Sequence, residues 1–177
     1  MISTNAIKPA LQLTYVKLMM DVIGRGLVMA SQVDEEVQQE IRQFPVNFIL
    51  SMTVFPHGPN FILQVTETHQ LKRLDSIRTK ADLTITFKHL SHAFLVFSFQ
   101  ESTAQAFAND RMIADGDLSY AVRLVRCLNK MEALILPKMI AELAVKEYPQ
   151  QLSLKEKLMS AGNIYLKIAQ SYFQRSI

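Results

Sequence analysis

The sequence predicts an α+β fold in which helices flank a central run of strands. Apolar residues recur at helical spacing over residues 10–44 and again over residues 90–137, whereas over residues 47–87 they alternate with polar ones. Of the 177 residues, 49% are hydrophobic and 20% charged, with a mean hydropathy of +0.11. A chain of this composition folds, because it has enough apolar surface to bury.

The first predicted helix covers residues 10–30 and is apolar on more than one side. One side carries Leu11, Tyr15, Leu18 and Val22. A second set widens the apolar surface: Leu13, Val16, Met20, Ile23 and Leu27. A helix this apolar is expected to be buried against other parts of the protein or against a partner. Charged residues at 17, 21 and 25 interrupt it, which argues against both a signal peptide and a bilayer span.

A second helix is predicted where Val33, Val37, Ile41 and Phe44 recur at helical spacing, with acidic residues at 34–36 in its first turn. Pro45 ends it. Strands follow: a hairpin over residues 47–66 with its turn at 56–60, and a weaker strand over 71–78. Residues 81–87 alternate cleanly. The positions predicted to face the core there are Ala81, Leu83, Ile85 and Phe87.

Two short helices are predicted next, the first with Leu90, Phe94 and Phe97 on one side and the second capped by Ser102 or Thr103. Phe94, Phe97, Phe99 and Phe107 gather in this region. A short strand over residues 111–114 leads into a turn at Gly116, after which Asp117 is expected to cap a long helix.

That helix extends to Pro137. Its predicted apolar face consists of Ala121, Leu124, Val125, Leu128, Met131 and Ile135. Its predicted solvent face carries Arg123, Arg126 and Lys130.

A last helix is predicted from Ser153, because Glu156 three residues later completes a capping box. Its apolar residues, here called the tail seam, are spaced by four and three: Leu154, Leu158, Ala161, Tyr165, Ile168 and Tyr172. Such a surface suits packing on another helix. The chain is thus divided into an N-terminal helical extension (1–44), a central domain (45–137) and a C-terminal helical tail (138–177).

The residues that could take part in catalysis or metal binding lack the partners that such chemistry needs. His89 and His92 are three apart, but no cysteine or carboxylate stands at a suitable spacing. Cys127 falls in mid-helix without a nucleophile signature, and Asp115 and Asp117 are explained by a turn and a cap. The sequence has no nucleophile elbow or phosphate loop. It predicts no enzyme, no cofactor and no metal.

The net charge of +3 comes from scattered residues, so binding of nucleic acid is not indicated. A lone cysteine excludes an internal disulfide and favours a reducing, cytoplasmic location. Basic residues beside the tail seam (Lys155, Lys157, Lys167 and Arg175) leave peripheral contact with an anionic membrane open. The favoured alternative is a helix packed on its own domain, on a second subunit or on a partner protein.

The order of features over residues 81–137 resembles the sterol carrier protein 2 family. These features are an Ala-Asp strand with alternating Thr and Ile, aromatic short helices, Gln-Ala-Phe at 105–107, a strand, Gly-Asp at 116–117 and a long helix. The resemblance covers roughly residues 45–137. With the helices that precede it, the chain is similar to small bacterial lipid carriers that assist ubiquinone biosynthesis.

The resemblance implies a mixed, largely antiparallel sheet of about five strands, with helices around an apolar tunnel. It also implies non-catalytic binding and transfer of an isoprenoid or quinone precursor, a fatty acyl chain or a sterol-like lipid. The residues expected to line the tunnel are Leu90, Phe94, Phe97, Phe107, Met112, Leu124, Leu128 and Met131. The alternative is a scaffold or regulatory module of the same fold whose core is filled by its own side chains.

Overall fold

The computed structural model describes residues 4–98 and 100–135, which form five helices and five strands. The helices are Thr4–Val33 (α1), Glu35–Ile41 (α2), Leu90–Phe97 (α3), Thr103–Ala108 (α4) and Leu118–Ile135 (α5). The strands are Ile49–Val54 (β1), Asn60–Val65 (β2), Leu71–Leu74 (β3), Leu83–Phe87 (β4) and Met112–Asp115 (β5). The predicted α+β class is confirmed.

The strands form one sheet in the order β3-β2-β1-β4-β5. Strands β1 and β4 are parallel, with Leu50 opposite Leu83, whereas the other three neighbouring pairs are antiparallel. The sheet is therefore mixed and largely antiparallel, as the resemblance implied.

One face of the sheet is buried, because side chains alternate between faces along a strand. Its apolar positions include Leu50, Met52, Val54, Phe61, Leu63, Val65, Leu83, Ile85 and Phe87, all at most 2% exposed. The opposite face carries polar, half-buried residues: Ser51, Thr53, Gln64, Thr84 and Thr86. The four positions predicted to face the core in the strand at 81–87 are all buried.

Side chains cap three of the helices, and the sequence predicted caps at the starts of α4 and α5. The Asp34 carboxylate accepts a 2.9 Å hydrogen bond from the Val37 amide and caps α2. Ser102 and Gln105 form a reciprocal capping box at α4. The Asp117 carboxylate accepts a 2.7 Å bond from the Ser119 amide at the start of α5. Each cap satisfies an amide that the first helical turn leaves free.

Helix α1 forms part of the same core as the sheet. Val16, Met20, Ile23 and Leu27 are at most 4% exposed. At Gly24 the helix approaches β2 so closely that an added Cβ would lie 3.1 Å from the ring of Phe61. Of the two predicted apolar sides, the second packs on the core except for Leu13, which is exposed. On the first, Leu11 and Leu18 are exposed, whereas Tyr15 packs against the core.

One prediction for α5 was wrong. Lys130 was expected on the solvent face but is only 6% exposed. Its Nζ lies 2.7 Å from Glu36 Oε1 and 4.0 Å from Asp34 Oδ2, so the acidic first turn of α2 lies over it. Arg123 and Arg126, from the same predicted face, pair with Glu40 of α2 at 2.8 and 3.2 Å.

Several predictions fall outside the described residues. They concern Phe99, the side chain of Ile135, and the helix from Ser153 with its tail seam.

Candidate functional site

The eight residues predicted to line a lipid site all belong to one continuous apolar cluster between the sheet and the helices, or pack directly against it. Five are at most 4% exposed: Phe97, Met112, Leu124, Leu128 and Met131. The other three, Leu90, Phe94 and Phe107, are half-buried at the border of the cluster. The site therefore has a fully buried interior and an accessible apolar margin.

Helix α3 positions its aromatic residues by spacing. Leu90, Phe94 and Phe97 lie four and three residues apart and hence on one side of the helix. The Phe97 ring meets the Phe87 ring of β4 edge to face, with centroids 5.2 Å apart. The Phe94 ring meets Tyr15 of α1 in the same manner at 5.4 Å. Helix α3 thus contacts both the sheet and α1.

Tyr15 also fixes α3 by a hydrogen bond. Its hydroxyl donates to the carbonyl oxygen of Phe97 over 2.8 Å. Burial raises the pKa of Tyr15 above its usual value of 10.0, so the hydroxyl keeps the proton that it donates.

Helix α4 and strand β5 bring Phe107 and Met112 to the same region. The Arg111 amide donates a 2.8 Å hydrogen bond to the Ala106 carbonyl. This bond closes the turn between α4 and β5. Strand β5 then pairs with β4 so that Met112 is opposite Phe87. Because Phe87 also touches Phe97, residues from α3, β4 and β5 meet here.

Helix α5 supplies Leu124, Leu128 and Met131, which lie four and three residues apart on its core side. Cys127 is buried beside them. Burial raises the pKa of Cys127 to about 12, and the carboxylates of Glu40 and Asp34 add to that rise. The side chain is therefore a neutral thiol, and its interpretation as a small core residue is confirmed.

The sequence reasoning missed an aromatic cluster next to the predicted lining. The Phe44 and Phe48 rings lie 5.3 Å apart, and the Tyr120 ring lies 5.0 and 4.8 Å from them. Met20 and Met52 were recognised as apolar positions but not as neighbours of the lining. They join Met112 and Met131 in the same core. The phenylalanines flanking Pro45 were a usable signal, but their contact with Tyr120 depends on tertiary structure.

The two histidines singled out by their spacing are neighbours, with ring centroids 5.1 Å apart. Burial lowers the pKa of His92, and the nearby positive charges of His89 and Arg111 lower it further. Across residues 4–98 and 100–135, no group of three His, Cys, Asp or Glu side chains is placed to hold a metal ion.

The predicted lining contains no charged or hydroxyl-bearing side chain. The arrangement offers a guest dispersion contacts and removal from water, and it offers no acid, base or nucleophile. None of the described helices combines the length and hydrophobicity needed to cross a bilayer.

No family model and no curated protein matches the sequence. Solved structures similar to this one include sterol carrier protein 2 proteins, the family that the sequence resembles. One, "UbiJ-SCP2 Ubiquinone synthesis protein", is 15% identical, with 71% of this chain and 99% of that chain covered and a TM-score of 0.45.

Two further structures come from eukaryotes. Apo sterol carrier protein 2 from Yarrowia lipolytica is 18% identical over 63% of this chain and 88% of its own, with a TM-score of 0.43. Palmitated SCP2L2 from Aedes aegypti is 14% identical over 61% and 91%, with a TM-score of 0.40. At these scores the likeness assigns no ligand.

Proposed function

We propose that this protein binds a hydrophobic lipid between its sheet and its helices and carries or presents it without breaking a bond. The observation that supports this most directly is the half-buried border of Leu90, Phe94 and Phe107 on a continuous apolar core. A border of this kind presents apolar side chains to a guest at the edge of the core.

The interior suits a long, flexible guest. Met52, Met112 and Met131 line the same cluster as the phenylalanines of α3. Methionine has three rotatable bonds and a polarisable sulfur, so it adapts to guests of different shape. Each methylene of a lipid chain removed from water contributes about 0.8 kcal/mol, so a chain of ordinary length is held without any polar contact.

The entrance lies between the two short helices. Helix α3 has eight residues and α4 has six, and each carries one of the half-buried phenylalanines, Phe94 and Phe107. Helices this short depend on tertiary packing for their stability. Displacing the two rings opens the core, while the hydrogen bond from Tyr15 holds the end of α3 in place.

The ligand class is an isoprenoid or quinone precursor, a fatty acyl chain or a sterol-like lipid. The resemblance noted in the sequence favours a polyprenylated precursor of ubiquinone. A carrier of this kind works in the cytoplasm and touches a membrane surface only to load or unload. The lining carries none of the groups that acid-base or nucleophilic chemistry needs, so the proposed role is not enzymatic.

A second candidate is a scaffold of the same fold with a filled core. It is favoured by the five lining residues that are already at most 4% exposed. In that case the apolar border would contribute to stability only, and added lipids would not bind.

Measuring the binding of a fluorescent fatty acid and of a short-chain ubiquinone distinguishes the carrier from the scaffold. In the carrier, Phe94→Ala and Phe107→Ala weaken binding by about tenfold each, since each removes one large apolar contact. The matched control is Phe55→Ala, because Phe55 is 62% exposed on the β1–β2 turn. Saturable binding that only the first two variants weaken supports the carrier; no binding by the intact chain supports the scaffold.

A further inference from the structure

A histidine lies where α3 meets the start of α4 and the start of β5. His92 belongs to the first turn of α3, and its ring centroid is 5.1 Å from that of His89, the residue before the helix. The side chain is half-buried, and among the described residues its buried Nδ1 atom has no hydrogen-bond partner. Both nitrogens of a protonated imidazole carry hydrogen. Protonation would therefore make Nδ1 a buried donor with no acceptor beside it, which is unfavourable.

The charged side chains around His92 are already paired while its ring is neutral. Arg111 Nη1, from the start of β5, lies 3.3 Å from Glu101 Oε2, which precedes α4. Lys88 pairs with Asp110, and its amide donates a 3.0 Å hydrogen bond to the Arg111 carbonyl. Both carboxylates thus have a cationic partner. A proton on His92 adds a positive charge that they do not neutralise.

The position of His92 in α3 acts in the same direction. The first turn of a helix carries partial positive charge, so an added cation there is unfavourable. Helix α3 has eight residues, which is only about two turns. The side chain of His89, at its N-cap, makes no capping hydrogen bond. A protonated His92 therefore destabilises a short helix that has little stability of its own.

We propose that His92 is a proton-sensitive latch. The neutral ring keeps α3 packed at the junction with α4 and β5, and protonation loosens that junction. Phe94 of α3 and Phe107 of α4, the half-buried rings at the border of the core, then move apart. The loosening does not rest on the proposed lipid function, whereas the release of a guest that would follow does.

The pKa of His92 agrees with this direction. Burial lowers it below 6.5, and the positive charges of His89 and Arg111 lower it further. The hydrogen bond to the Arg111 backbone and the carboxylate of Glu101 raise it, but they are smaller causes. Because the folded chain binds this proton less tightly than the unfolded chain, the stability linked to His92 is complete above pH 6.5. It is lost as the pH falls through the lowered pKa.

Hydrogen–deuterium exchange of the full-length protein, freed of lipid by extraction, tests the latch without any ligand. Between about pH 7.5 and pH 5, after correction for the chemical exchange rate, we expect exchange over residues 90–98 and 100–111 to rise several-fold. Exchange in β1 and β2 should not change. His92→Gln cannot take up the proton and should remove the rise. The matched control is His57→Gln, at an exposed histidine on the β1–β2 turn, and should keep it.

Three results overturn the latch: no rise in the unchanged chain, an equal rise in His92→Gln protein, or a rise spread over the whole sheet. A second measurement covers the case in which the variant does not fold. In NMR spectra of the unchanged chain, the His92 ring signals should titrate with the same midpoint as the amide signals of α4. Different midpoints contradict the proposal.

Release of a guest is measured separately with short-chain ubiquinone, which has no group that titrates in this range. Its affinity should fall several-fold between the two pH values in the unchanged chain and stay constant in His92→Gln protein. A constant affinity in both proteins would overturn the release. A chain that binds no ubiquinone at either pH contradicts the proposed function and not the latch, which is judged by exchange alone.

Discussion

The Tyr15 hydroxyl donates a 2.8 Å hydrogen bond to the carbonyl oxygen of Phe97 and so joins α1 to the C-terminal end of α3. The same side chain packs its ring against Phe94. One residue of the N-terminal helix therefore supports both a half-buried and a fully buried member of the candidate site. The N-terminal helix thus packs into the same apolar core as the candidate site.

Replacing Tyr15 tests this support. We expect Tyr15→Phe to lower the free energy of unfolding by about 1 kcal/mol, since it removes one hydrogen bond and keeps the ring. Tyr15→Ala should cost about 3 kcal/mol, because the contact with Phe94 is lost as well. Urea unfolding followed by circular dichroism measures both. Equal losses from the two variants would mean that the ring contact contributes nothing.

The backbone conformation at position 116 requires a glycine. Its φ is +139°, and an added Cβ would lie 2.5 Å from the carbonyl oxygen of Asp82. We expect Gly116→Ala to destabilise the fold by about 2 kcal/mol or more, through strain and steric overlap together. Thermal unfolding measures the loss. An unchanged melting temperature would show that the turn between β5 and α5 is not held in this conformation.

Replacing Lys130 tests the ion pairs between α5 and α2. We expect Lys130→Ala to cost about 2 kcal/mol, because it removes both the buried stem and the charge that faces Glu36 and Asp34. Lys130→Met keeps most of the stem and should cost less. The control is Arg126→Met, whose side chain is 61% exposed, with an effect within about 0.5 kcal/mol. Equal effects at positions 130 and 126 would contradict the burial of Lys130.

The raised pKa of Cys127 makes the free energy of unfolding depend on pH. Its pKa is raised from 9.0 to about 12 in the folded chain, with burial as the largest cause. Folding therefore favours the protonated thiol, so the stability linked to this group is complete below pH 9 and is lost between pH 9 and 12. We expect no reaction with a disulfide reagent at neutral pH in native protein and one thiol per chain in urea. Fast reaction of the native protein would show that the thiol is accessible.

Much of the fold could be predicted because its signals are local. Helical and alternating periodicities located all the described helices and strands. The caps were predicted from their immediate neighbours as Asp117 and as Ser102 or Thr103, and Ser102 is the one that caps α4. Lys130 could not be assigned correctly, because its acidic partners are on α2, more than ninety residues away in sequence. Nor could the sequence predict which site residues are buried and which, namely Leu90, Phe94 and Phe107, form the half-buried border. That division depends on how α3 and α4 pack against α1 and the sheet.

The most direct test of the lipid-carrier proposal is native mass spectrometry of freshly purified full-length protein, followed by organic extraction and identification of any released lipid. We predict a fraction of protein with an added mass that matches one extracted prenyl or acyl lipid, and loss of that mass in Phe94→Ala protein but not in Phe55→Ala protein. A single species at the mass of the bare chain, with no extractable lipid and no uptake of added quinones, fatty acids or sterols, would contradict the proposal.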